Sequence, residues 1–142
     1  ENGNILLIQR ITNYAWEKED NGSFLDDLGN LYLFDFSDRS FASDEEFLTA
    51  LNELYISHEP MAHVAAWKNE RGVEILRLID GIDPQAELQE KSRGADMGQR
   101  SLYALSGESL ILLRSHGDWE RNLDDNSAKD LCVVFDMMAN SY

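Results

Sequence analysis

The chain has 142 residues, 43% of them hydrophobic and 27% charged, with nine glycines and two prolines. That is a globular composition of the size of one domain, so residues 1–142 are read as a single unit whose core needs no covalent staples. Acidic residues outnumber basic ones 27 to 12, a formal charge of −15, which opposes nucleic acid and anionic membrane as partners because no basic patch offsets the field.

The excess is uneven: residues 1–60 hold 13 acids against Arg10, Lys18 and Arg39. Solubility explains such a surface most simply, with a basic protein partner or cation binding as the sharper readings. The longest apolar run, Leu131–Phe135, is five residues, far short of the roughly 20 that cross a bilayer as a helix. Cys132 is the single cysteine. No internal disulfide can form, and apolar neighbours suggest a buried thiol. The sequence begins at Glu1 rather than Met, which leaves room for an upstream signal or lipid-attachment segment.

Residues 5–18 open apolar and then alternate, with Tyr14 and Trp16 on one face, and read as a strand. Asn21-Gly22 follows as a hairpin turn, a role that also accounts for the sequon Asn21-Gly22-Ser23. Asp27-Leu28-Gly29-Asn30 makes a second turn into a strand over Leu31–Phe36, completing an antiparallel meander. The row Tyr32, Phe34, Phe36 on that strand is expected to lie under a helix as core. Left uncovered, it would be a binding face.

Ser43-Asp44-Glu45-Glu46 is a capping box, and Phe47, Leu48, Leu51, Leu54 and Tyr55 recur at helical spacing after it. Over 64–82 two readings stay open. A helix carrying Val73, Leu76 and Ile79 is favoured over a hairpin turning at Asn69–Gly72, because Leu76, Leu78 and Ile79 do not alternate. Residues 85–92 suit an edge strand. A loop from Gly94 to Gly98 leads to strands at Arg100–Leu105 and Leu110–Arg114, joined by a turn at Ser106-Gly107-Glu108. Ser115 to Asn126 reads as a long polar connection, after which Ser127 caps a last helix with Asp130 at the box position. The predicted fold is α+β: an antiparallel sheet, meander plus C-terminal hairpin, with about three helices packed mainly on one face.

No recognised catalytic spacing occurs. His58 and His63 frame a resemblance to a zinc-protease motif but stand five apart, about 140° around a helix instead of about 40°, with Pro60 between them. Ser115-His116-Gly117-Asp118 gathers triad residue types, yet triads assemble in space and not in sequence. Asp26, Asp27, Asp124 and Asp125 lack a calcium-loop spacing. No cofactor or metal is expected. The loop before the penultimate strand and the one after the last strand of the hairpin fall at the same end. Asp96, Gln99, Asp118, Trp119 and Asn122 are therefore the candidate ligand-binding residues, with a network that pins the last helix as the plainer reading.

The run Gly94-Ala95-Asp96-Met97-Gly98-Gln99-Arg100-Ser101-Leu102-Tyr103, with Leu112-Leu113, Gly117-Asp118-Trp119, Asn122 and Ala128-Lys129, resembles small uncharacterised extracellular lipoprotein domains of Gram-positive gut bacteria. Tyr14-Ala15-Trp16, Gly29-Asn30 and Asp35-Phe36-Ser37 are similar to their N-terminal meander. The resemblance implies display at the cell surface through a lipidated cysteine upstream of Glu1, with a cytoplasmic location as the alternative where that cysteine is lacking. It implies no activity, substrate or catalytic residue. The expected function is a non-catalytic extracellular binding or interaction module, its partner a protein or a small molecule. The alternatives are a small hydrolase or metal-assisted enzyme using Asp96, His116 and Asp118, and an acidic inhibitor or accessory subunit for a basic protein.

Overall fold

A computed structural model describes residues 3–14, 17–65, 67–68 and 70–139. Eleven elements follow in chain order among them: β1 (Ile5–Asn13), β2 (Glu19–Asp26), β3 (Asn30–Asp35), α1 (Asp44–Ser57), β4 (Ala62–His63), α2 (Arg71–Asp80), β5 (Leu88–Ser92), β6 (Gln99–Ser106), β7 (Ser109–Gly117), β8 (Trp119–Leu123) and α3 (Asn126–Ala139). The fold is α+β, and the strands form one antiparallel sheet in the order β4-β3-β2-β1-β6-β7-β8-β5. The seam between the N-terminal meander and the C-terminal strands is β1 against β6, with Leu7 opposite Ala104 and Thr12 opposite Gln99.

Side-chain alternation gives this sheet two cores. Ile8, Phe24, Tyr32, Phe34 and Phe36 face α1 and pack on its Phe47, Leu51 and Tyr55. Leu7, Leu25, Leu102, Ala104 and Leu113 serve a second cluster with Ile75 and Ile79 of α2 and Leu131, Phe135 and Met138 of α3. Because Leu7 and Ile8 are successive strand residues, the two clusters lie on opposite sheet faces. Two of the three helices thus share one face, and α1 covers the other. The aromatic row is core, as expected. Phe24 stacks on Tyr32 at 4.9 Å, and Tyr55 meets Tyr32 edge-on at 5.1 Å, the offset and edge geometries that ring quadrupoles favour.

Ser43 caps α1 as predicted, its side chain accepting from Glu46 N–H at 3.2 Å. The residues given to a helix over 64–82 are helical only from Arg71 to Asp80, while 64–65 and 67–68 lie outside any element. The rejected turn includes Asn69, outside the described residues, as does Trp16. Cys132 is half-buried, and burial pushes its thiol pKa up.

Four expectations are corrected. The first strand stops at Asn13 and not at residue 18, so Tyr14 lies beyond its end. Asn21-Gly22 is not a turn: it lies inside β2, paired with Ile11 and Arg10 on one side and with Asp35 and Phe34 on the other. The polar stretch after Leu113 is mostly strand. Ser115–Gly117 finish β7, and Trp119–Leu123 form β8, held between β7 and β5. Finally, the α3 cap is Asp125 and not Ser127, its carboxylate accepting from Ala128 N–H and from Asp83 N–H, both at 2.9 Å.

Those backbone donors, Asp83 N–H foremost, hold the Asp125 pKa below the usual carboxylate value. The cap's contribution is therefore complete above the unfolded pKa, near about 4, and is lost as pH falls through the depressed folded value. Asp125→Ala is expected to cost about 1 kcal/mol at neutral pH. The gap from the parent in urea unfolding should shrink toward pH 3, and a pH-independent gap would contradict this origin.

Candidate functional site

The β6–β7–β8 end of the sheet is where the predicted site residues fall, and Gln99 organises it. Gln99 stands opposite Thr12 of β1 and Gly117 of β7. Its Nε2 donates to the Trp119 carbonyl at 2.6 Å and to Ser115 Oγ, and its Oε1 accepts from Trp119 N–H at 3.1 Å. Ser115 Oγ also pairs with Ser101 Oγ at 2.7 Å. Ser115 is 0% exposed, and this network leaves its hydroxyl satisfied.

Asp118 performs the matching task for the preceding loop. Its Oδ1 accepts from Met97 N–H at 2.7 Å, its N–H donates to Gly98 O at 3.0 Å, and its carbonyl accepts from Arg93 N–H at 2.9 Å. The loop this holds contains Asp96 at φ 61°, the left-handed region that Asp tolerates better than most residues. Asp96 has no hydrogen bond or ion pair among the described residues. The network fastens β6 to the β7–β8 turn and does not pin α3.

Beside these staples lies an open depression of about 340 Å³, lined by Thr12, Asn13, Tyr14, Asp96, Gln99 and Asp118 among others. Among the described residues two carboxylates and no basic side chain border it, so its field favours a neutral or cationic occupant over an anion. Tyr14, 62% exposed, stands at its edge, and Trp119, 42% exposed, follows the stapled turn with the Arg121 guanidinium 5.4 Å from its ring. Four of the five predicted residues, Asp96, Gln99, Asp118 and Trp119, come together. Asn122 does not join them: β8 carries it three residues on, about 10 Å, to a position opposite Arg114 and Gln89. Sequence reasoning did not place Thr12, Ser101 or Ser115 at this site, since their signal for it is cross-strand register.

Ser115 and His116, adjacent in the run that gathers triad residue types, are not brought together by the fold: as successive residues of β7 they point to opposite faces, and His116 Nδ1 lies 4.0 Å from Glu120. Arg93 hydrogen-bonds Glu120 and holds its carboxyl below the usual range. His58 ends α1 against Ser57 Oγ at 2.8 Å, while His63 on β4 pairs with Asn30 Oδ1 at 3.2 Å. The acids weighed for calcium are separately engaged: Asp26 with Tyr55 and Asn30, Asp27 with Asn4, Asp124 with Lys129, and Asp125 with Asp83 and Ala128. Among the described residues no group of three or more His, Cys, Asp or Glu is placed to hold a metal, and no helix is long and apolar enough to cross a membrane. No protein-family model matches the chain, and neither a curated protein nor a solved structure matches it.

Proposed function

We propose that the chain is a non-catalytic binding module, displayed outside a bacterial cell as the lipoprotein resemblance implies. Its ligand is small, neutral or cationic, and rich in hydrogen-bond donors, and it occupies the depression between Tyr14 and the β7–β8 turn. One observation carries the reading. The polar groups that build the depression, Gln99 and Asp118, are engaged in holding backbone, while Asp96, with no hydrogen bond or ion pair among the described residues, and the exposed Tyr14 ring line the opening. Rigid support beneath uncommitted acceptors and an aromatic edge is the arrangement a binding site uses to limit ordering costs.

Calorimetric titration with a panel of neutral sugars, amino sugars and acidic sugars tests this, beside assays with chromogenic ester, glycoside and phosphate substrates. Binding of a neutral or cationic member, weakened roughly tenfold by Asp96→Asn, is the expected result. Asn keeps the left-handed backbone of that position, so the substitution removes only charge. Turnover abolished by Asp118→Ala would replace the binding module with the enzyme reading.

A further inference from the structure

The opposite ends of β1 and β6 border a second concavity, roughly 20 Å along the strands from the depression. Two hollows of about 400 and 150 Å³ share Asn52, Leu105 and Gly107 and so form one trough. One wall is α1, from Glu45 through Thr49 and Asn52 to Ile56, residues three or four apart that share a helix face. The other wall is the β6–β7 hairpin tip at Leu105–Glu108, and Leu76 of α2 closes the far end.

Ile56 is 66% exposed and Leu76 41%, although they belong to helices on opposite sheet faces and line the same hollow. Large apolar side chains converging on one concave surface mark an interaction site more often than a bare surface does. Charge selects the occupant. Glu45 and Glu108 sit together at one end of the trough, and no Lys, Arg or His lines it among the described residues. Helix α1 itself holds Asp44, Glu45, Glu46 and Glu53 and no basic residue. A second copy of a chain at −15, or an anionic lipid surface, meets repulsion here.

We propose that the trough docks a basic amphipathic segment of a partner protein. Its apolar side chains cover Ile56, Leu76 and Leu105, and its Lys or Arg side chains meet Glu45 and Glu108. Asn52 supports such a chain, because its Nδ2 is tied to the Leu48 carbonyl at 3.0 Å, which leaves Oδ1 to accept from the partner. This helix-in-groove mode places affinity in the apolar anchors and rate and selectivity in the charges.

The test uses a short, dye-labelled Leu/Lys amphipathic peptide and its Leu/Glu counterpart, titrated with the whole protein and followed by anisotropy and amide NMR shifts. The cationic peptide should bind and the anionic one should not, with shifts concentrated at Thr49, Asn52, Ile56, Leu76 and Gly107. Affinity should fall with salt. Ile56→Asp should weaken binding about tenfold although it adds negative charge, and Glu45→Lys with Glu108→Lys should weaken it at least as much. Asp96→Asn, at the other site, should leave it unchanged. Equal binding by Ile56→Asp, or shifts scattered over the acidic surface, would overturn the proposal as diffuse attraction. So would a peptide-resistant dimer in sedimentation, which would mean that a second copy fills the trough.

Discussion

Replacing Asp20 with alanine is expected to lower the folding free energy by about 3–5 kcal/mol. Asp20 is buried, and its two carboxylate oxygens accept from Arg10 Nε at 2.8 Å and from a second Arg10 nitrogen at 2.6 Å. The guanidinium lies 4.0 Å from the Phe47 ring centroid. Burial alone pulls the Arg10 pKa down, and the hydrogen bond and charge of Asp20, together with the nearby Tyr14 and Tyr103, more than reverse it, so that the group stays raised. Without the carboxylate, a cation remains among α1, β1 and β2 with a ring face as its chief support, and it must either recruit water or distort the end of the aromatic core. Urea unfolding should show the loss as a lower midpoint at unchanged slope. Replacing both partners with leucine should recover most of it, since the uncompensated charge and not the missing bond is what costs stability. The exposed Arg93–Glu120 pair gives the contrast, and breaking it should leave the urea midpoint almost unchanged. A loss that small at Asp20 would show that water reaches the pair freely.

Gly22→Ala is the second large effect, at about 2–5 kcal/mol. Gly22 stands in the middle of β2 at φ 159°, between Arg10 and Phe34. A methyl group there would press into the backbone carbonyl of Gln9, which cannot rotate away, with the Phe34 ring tip 3.1 Å off. The strands β1 and β2 would have to part at that register. Amide exchange should accelerate along β1 and β2 together with the drop in urea midpoint. At Gly107, the hairpin tip, an added methyl meets nothing within 4 Å. Gly107→Ala should therefore cost only the local backbone penalty, about 1 kcal/mol. Equal losses at the two positions would refute the steric account.

The same glycine explains why part of the fold could not be read in advance. Asn-Gly is a strong hairpin signal because glycine allows unusual backbone angles, but glycine also serves where another backbone comes too near for a side chain. The letters are the same, and only the partner strand distinguishes the two uses. Strand β8 was hidden for a different reason. Trp119-Glu120-Arg121-Asn122-Leu123 has no apolar alternation. What holds it as a strand is cross-strand chemistry from distant residues, Arg121 with Glu90 and Arg93 with Glu120. Ser127 is expected at the α3 cap because its side chain suits such a position, and Asp125 prevails because it also reaches Asp83 N–H. By contrast, α1 and the aromatic row were legible, since periodicity and a capping residue are local properties. Hairpin geometry sufficed to bring Asp96, Gln99, Asp118 and Trp119 to one end. It failed for Asn122 because the supposed loop continues as strand.

The strand that centres the sheet is also made before the seven others that pair in it. Ile5–Ile8 are buried on both faces of β1, yet Leu7 is opposite Ala104, on the order of 100 residues later. At ribosomal speeds of roughly 5–20 residues per second, that edge waits about 5–20 s for its partner. During that interval the nascent meander offers an open, greasy β-edge to any passing strand. Correct maturation then depends on β6 arriving before a stranger does, which makes synthesis rate and chaperone supply determinants of yield for a protein whose finished surface is highly charged.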